Sequence, residues 1–111
     1  MIEDYGFGWY IIDGKRYEYD ITIIKGKVGT WNREDHLMKE ENVLPLIKSN
    51  PDVIVIGNGA SGCIEVREET IDAITAAGIE VIVKNTKDAC STFNRLVKQG
   101  KKVAGIFHAT C

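Results

Sequence analysis

Between Phe7 and Trp31 apolar and polar residues alternate, and a period of two predicts antiparallel strands. Trp9-Tyr10-Ile11-Ile12 runs into Asp13-Gly14, a pair suited to a two-residue hairpin turn. The next run places Tyr17, Tyr19, Ile21 and Ile23 on one face and Arg16, Glu18, Asp20 and Thr22 on the other. It reads as one half-buried strand. Lys25-Gly26-Lys27 offers a second turn, into a short strand from Val28 to Trp31.

The second half follows a different rhythm. Val43, Leu46 and Ile47 recur at helical spacing between Lys39 and Ser49, and Asn50-Pro51 closes that helix because the residue before proline avoids helical geometry. Val53-Ile54-Val55-Ile56 is apolar on both faces, as in a central strand of a covered parallel sheet. A helix over Glu68–Ala77 turns Ile71 and Ile74 inward and stops at Gly78; Ile79 to Val83 then reads as another buried strand. A third helix over Lys87–Gln99 carries Ala89, Phe93, Leu96 and Val97 inward, and Val103 to Phe107 forms the last central strand. Strands alternating with helices predict an α/β protein: one three-layer domain over residues 1–111, with a mixed, mainly parallel central sheet. The N-terminal antiparallel meander either extends that sheet or lies over one face.

Composition narrows the function classes. The chain has 14 basic and 16 acidic residues and a formal net charge of −2, so no basic stripe invites nucleic acid. Lys98, Lys101 and Lys102 bracket a helix end, where they complement its dipole. No apolar run approaches the ~20 residues that span a bilayer, and Met1-Ile2-Glu3-Asp4 lacks the features of a signal peptide, so a cytoplasmic location with no membrane partner is expected. Three widely separated cysteines, Cys63, Cys90 and Cys111, fit neither a disulfide framework nor a zinc spacing. Two histidines and scattered carboxylates make no recognisable metal set, and neither metal nor cofactor is expected.

Gly57-Asn58-Gly59-Ala60-Ser61-Gly62 matches G-x-G-x-x-G after a strand. In a dinucleotide-binding fold such glycines admit a pyrophosphate to a helix N-terminus. Here Cys63-Ile64-Glu65-Val66 delays the helix, and Lys84-Asn85 stands where the ribose-binding acid belongs, so that reading fails. Two remain: a turn needed for backbone geometry, or a loop whose amides, with Asn58 and Ser61, hold a small anion or polar ligand at the carboxyl ends of the strands.

Other candidates stand alone. Cys90 lies in the first turn of the third helix, where a dipole lowers a thiol pKa, but a small buried thiol is the commoner outcome. His36 is a candidate base, weighed against an ordinary surface histidine. Asp20 is a charge within an apolar run; if its face is covered it needs a partner such as Arg33. Asn94, a poor helix former in mid-helix, invites a bond to a neighbouring loop, the glycine turn among them.

Several segments together resemble a known family. They are Phe7-Gly8, Ile12-Asp13-Gly14-Lys15, Tyr17 before Asp20, Trp31 with His36, Val55-Ile56-Gly57-Asn58-Gly59, Thr86 to Leu96, and the ending Val103 to Cys111. The family is a small α/β group of unknown biochemical function that includes the adipogenesis-associated domain protein and a mitochondrial complex I assembly factor. The resemblance implies a three-layer fold with a mixed sheet and no established enzymatic activity, and its eukaryotic members suggest complex assembly.

The sequence thus points to a non-catalytic binding or assembly module acting through the glycine-loop edge and the Trp31–His36 segment, with an unknown protein partner. The alternative is a small-molecule or anion binder, or a minor enzyme, with a pocket of Gly57, Asn58, Gly59, Ser61, Gly62, Thr86 and Asn94. Arg33, His36 or Cys90 would supply its chemistry, and Asp20 completes the candidate set. A homodimer is the expected assembly.

Overall fold

A computed structural model describes residues 1–32 and 36–111. Strands β1 (Ile2–Gly6), β2 (Trp9–Ile12) and β3 (Lys15–Tyr17) form an antiparallel three-stranded sheet. Asp13 and Gly14 both take positive φ, 51° and 82°, the geometry that lets two residues reverse the chain between β2 and β3. Ahead of them Ile12 pairs with Lys15.

The chain then passes to a second sheet. Strands β4 (Ile21–Ile24) and β5 (Lys27–Thr30) form a hairpin on its edge, followed by β6 (Leu37–Met38), α1 (Glu40–Lys48), β7 (Val53–Gly57), β8 (Glu65–Val66) and α2 (Glu68–Ala76). The last elements are β9 (Glu80–Lys84), α3 (Thr86–Lys98) and β10 (Val103–Phe107). The central sheet has the order β5-β4-β10-β7-β9, with β10 parallel to β7 and β7 parallel to β9, while β10–β4 and β4–β5 are antiparallel. A two-stranded parallel pair, β6 with β8, stands apart.

Every residue of β7 is buried, as its two-faced apolar run predicts. One face of the central sheet presents Ile21, Ile23, Val53, Val55 and Phe107 to Tyr10 and Ile12 of the small sheet and to Ala89, Phe93 and Leu96 of α3. The other face packs Ile54, Ile56, Ala104 and Ile106 against Val43 and Leu46 of α1 and Ile74 of α2. The result is three layers around a mixed sheet. The front half both extends the sheet, through β4–β5, and covers it, through β1–β3.

Two strand expectations need correction. The run from Arg16 to Ile23 is two strands in different sheets, since β3 ends at Tyr17 and β4 begins at Ile21. Its alternation continues in phase across the break, so periodicity could not reveal it. Ile79 to Val83 is not a buried strand either: among the described residues β9 pairs only with β7, at the sheet edge, and Val83 is 40% exposed.

Candidate functional site

Strands β7 and β10 end side by side, Gly57 opposite Phe107, and the chain after each strand builds the same corner of the molecule. The His108 amide donates to the Gly57 carbonyl at 2.9 Å. The glycine loop then winds around the segment from His108 to Cys111. Asn58 donates to the Lys84 carbonyl, Gly59 to Thr86 Oγ1, Ala60 to the Thr110 carbonyl, and Ser61 and Cys63 both to the Cys111 carbonyl. Gly62 donates back to Gly59, and Ile64 to Asn58. All seven amides from Asn58 to Ile64 are therefore satisfied within the protein. The loop's main chain is a clasp on residues 108–111 rather than a cradle facing solvent.

Gly59 shows why glycine is needed. Its φ is +106°, and a methyl group there would collide with the Cys111 carbonyl. Thr86, fully buried at the N-terminus of α3, closes the corner: its hydroxyl accepts from the Gly59 amide at 2.9 Å and donates to the His108 carbonyl at 2.8 Å. Asn58 keeps a buried Oδ1 with no hydrogen-bond partner among the described residues.

His108 is fully buried, and its Nδ1 lies 3.0 Å from both carboxylate oxygens of Asp20. A carboxylate can only accept, so the Nδ1 proton lies between them and Nε2 is left facing the Thr110 hydroxyl at 3.2 Å. Asp20 Oδ1 also accepts the Ala109 amide at 2.7 Å. The sequence placed Asp20 on an outward face; it instead sits between β3 and β4 and turns in to His108, because a carboxylate beside the sheet needs donors. The suggested partner Arg33 lies outside the described residues. Trp31, expected on a binding surface, is only 5% exposed and packs edge-on against the His108 ring at 6.5 Å. The His36 ring meets that of His108 at 5.8 Å, and its Nε2 lies 3.5 Å from Cys111 Sγ.

Other candidates fall elsewhere. Asn94 does not reach the glycine loop. Its side chain clamps the first strand, accepting from the Ile2 amide at 2.9 Å and donating to the Ile2 carbonyl at 2.6 Å. Cys90 is buried beside Ala89 and Phe93, and burial pushes its thiol up to about 12, so no thiolate is offered at neutral pH. Ser61 and Cys63 are exposed on the loop. A hydrogen bond with the Cys111 thiol, followed by burial, holds the Cys63 thiol above its ordinary range.

The residues that sequence reasoning left without a role are His108, Thr110 and Cys111. A signal existed: a histidine closing an apolar strand and a carboxylate opening another are each costly when buried alone and acceptable when paired.

A cavity lies at the opposite end of the sheet, where β7 and β10 begin. It has a volume of about 720 Å³, with Ile12, Ile23, Phe93 and Val97 on its walls and Lys25, Lys48, Lys101 and Lys102 around it. No helix among the described residues is long and apolar enough to cross a membrane.

Comparison with known proteins agrees with this architecture. The human protein named NADH dehydrogenase [ubiquinone] 1 alpha subcomplex assembly factor 3 is 26% identical over 103 residues, which cover 90% of this chain and 55% of that protein. The chain thus spans about half the length of the curated relatives it matches. A conserved hypothetical protein from Pyrococcus horikoshii OT3 superposes with a TM-score of 0.89 at 28% identity, covering 100% of this chain and 99% of that one. The structure named MT938 gives 0.85 at 29% identity, with 100% and 98% covered. Residues 2–108 match the family described as protein of unknown function DUF498/DUF598, and the chain belongs to that family.

Proposed function

We propose that this chain is a non-catalytic binding or assembly module that docks a partner protein through the glycine-loop edge. The observation that carries this reading is Phe7, 66% exposed at the tip of the β1–β2 hairpin. The hairpin is fastened beside the loop, because the Gly8 amide donates to the Ala109 carbonyl at 2.8 Å. A large aromatic ring held out on a fixed turn is the kind of anchor that fills a pocket on a partner. Tyr19, 46% exposed, adds a second ring next to Asp20 in the chain. The loop amides and the nearest helix thiol are engaged internally: amides of the loop hold the Thr110 and Cys111 carbonyls, and Cys90 is buried in the core. The name of the human relative supports a role in assembly. The test is cross-linking and capture from native extract with the wild-type chain and Phe7→Ala. A protein captured by the wild type and lost with the variant, at unchanged circular dichroism, is expected. Capture indifferent to Phe7 would move the docking surface elsewhere.

A second reading, a binder of small amphipathic anions, is favoured by the lysine-rimmed cavity at the amino ends of the strands. An alkyl phosphate at 100 times its dissociation constant stabilises the fold by about 2.7 kcal/mol. A thermal shift that disappears with Lys101→Glu and Lys102→Glu is the expected result; a flat response across alkyl phosphates and carboxylates removes this reading.

A further inference from the structure

Two imidazoles and a thiol meet where the chain after β10 crosses the end of the sheet. One ligand atom from each of His36, His108 and Cys111 lies within 4.8 Å of the others. The three are far apart in sequence, which is why no ligand spacing announced them. Zinc holds nitrogen at ~2.0–2.1 Å and sulfur at ~2.3 Å, so a tetrahedral angle between them sets the two donors about 3.5 Å apart. His36 Nε2 and Cys111 Sγ are separated by 3.5 Å. That edge of a coordination tetrahedron is already formed.

The third donor is prepared by its surroundings. Asp20 holds His108 Nδ1 through both oxygens, which fixes the ring and aims Nε2 away from the carboxylate. A carboxylate behind a histidine is the usual outer support of a metal-bound imidazole, raising its basicity and locking its tautomer. Nε2 faces the Thr110 hydroxyl at 3.2 Å, so metal binding exchanges that hydrogen bond for coordination and the hydroxyl rotates aside. Trp31 walls the inner side of the ring. His36 is exposed and free to close the remaining distance by side-chain rotation. The donor chemistry selects the ion: a thiolate with two imidazoles suits a borderline cation such as zinc, whereas magnesium and calcium require oxygen ligands.

We propose that His36, His108 and Cys111 form a three-ligand site for a zinc-type divalent cation. Coordination deprotonates Cys111, and the proton passes to solvent, so affinity rises with pH. The site is independent of the docking role proposed for Phe7.

The test is a cobalt(II) titration of the reduced full chain, read by visible ligand-field bands and thiolate-to-cobalt charge transfer, with zinc as competitor. One equivalent should give tetrahedral bands and one thiolate's charge transfer, both bleached by zinc. His36→Ala and Cys111→Ser remove groups outside the hydrophobic core; each should weaken binding at least about tenfold while leaving circular dichroism unchanged. Cys63→Ser should retain the spectrum, which separates the proposed set from one completed by the neighbouring thiol. Absence of tetrahedral bands at millimolar cobalt overturns the proposal. So do bands that survive both ligand variants, or bands that vanish with Cys63→Ser.

Discussion

Thr86 shows how much a single hydroxyl holds together. It is the acceptor for the Gly59 amide and the donor to the His108 carbonyl, both buried. Thr86→Val keeps the shape and strands two polar groups at about 1–3 kcal/mol each, so roughly 2–6 kcal/mol of stability should be lost in urea titration. Thr86→Ser should recover most of it; equal losses for the two variants would mean that the methyl group, not the hydroxyl, matters. Cysteine reactivity is decided on the same scale. Exposed Cys63 should be alkylated by iodoacetamide in the native protein at alkaline pH, and buried Cys90 only after unfolding, as peptide mass mapping would show. Labelling of Cys90 ahead of Cys63 would contradict its place in the core.

At the scale of elements, the first strand depends on a clamp made by a helix. β1 is joined to α3 by the paired hydrogen bonds of Asn94 with Ile2, across 92 positions of sequence. Asn94→Ala should cost about 1–3 kcal/mol, concentrated on β1. Hydrogen exchange should quicken at the amides of Ile2 to Gly6 while β7 keeps its protection; uniform acceleration would show that β1 does not open by itself. β9 raises the opposite question. As an edge strand it leaves backbone groups unpaired, with Glu80 and Lys84 exposed at its ends. Lys84→Val beside exposed Val83 should promote self-association visible by light scattering, and a variant that stays as dispersed as the wild type would assign edge protection elsewhere.

For the whole molecule, the buried thiol and phenols fix the response to alkali. Burial raises the Cys90 thiol from its ordinary 9.0 to about 12. The unfolded chain therefore gives up this proton first, and stability that is fully present below pH 9 declines as pH climbs towards 12. Tyr10, raised chiefly by burial, and Tyr5, also raised chiefly by burial, act in the same direction above their ordinary 10.0. Thermal midpoints measured between pH 7 and 11 should fall on the alkaline side, with a shallower fall for Cys90→Ala over the first part of that range. A midpoint that rises from pH 9 to 11 would contradict the burial of these groups. The three-layer build explains why they are buried at all: Tyr10 and Cys90 lie between the small sheet, α3 and the central sheet.

The sequence alone determined the α/β class, most strand and helix positions and the Asp13-Gly14 turn. These rest on local rules: periodicity and turn chemistry. It also carried the family resemblance, through segments spread over nearly the whole chain. Only the tertiary structure decided which sheet each front strand joins, because alternation continues in phase from β3 to β4 while their partners lie elsewhere in sequence. Only it could turn Asp20 towards His108, 88 positions away, and give Asn94 to Ile2 instead of the glycine loop. The glycine loop itself was legible as a turn, but the acceptors that engage its amides come from Lys84, Thr86, Thr110 and Cys111, and from within the loop itself. Spacing along a chain records neighbours within an element; the meeting of His36, His108 and Cys111 is a property of the fold, which brings the residue before β6 to the chain that follows β10.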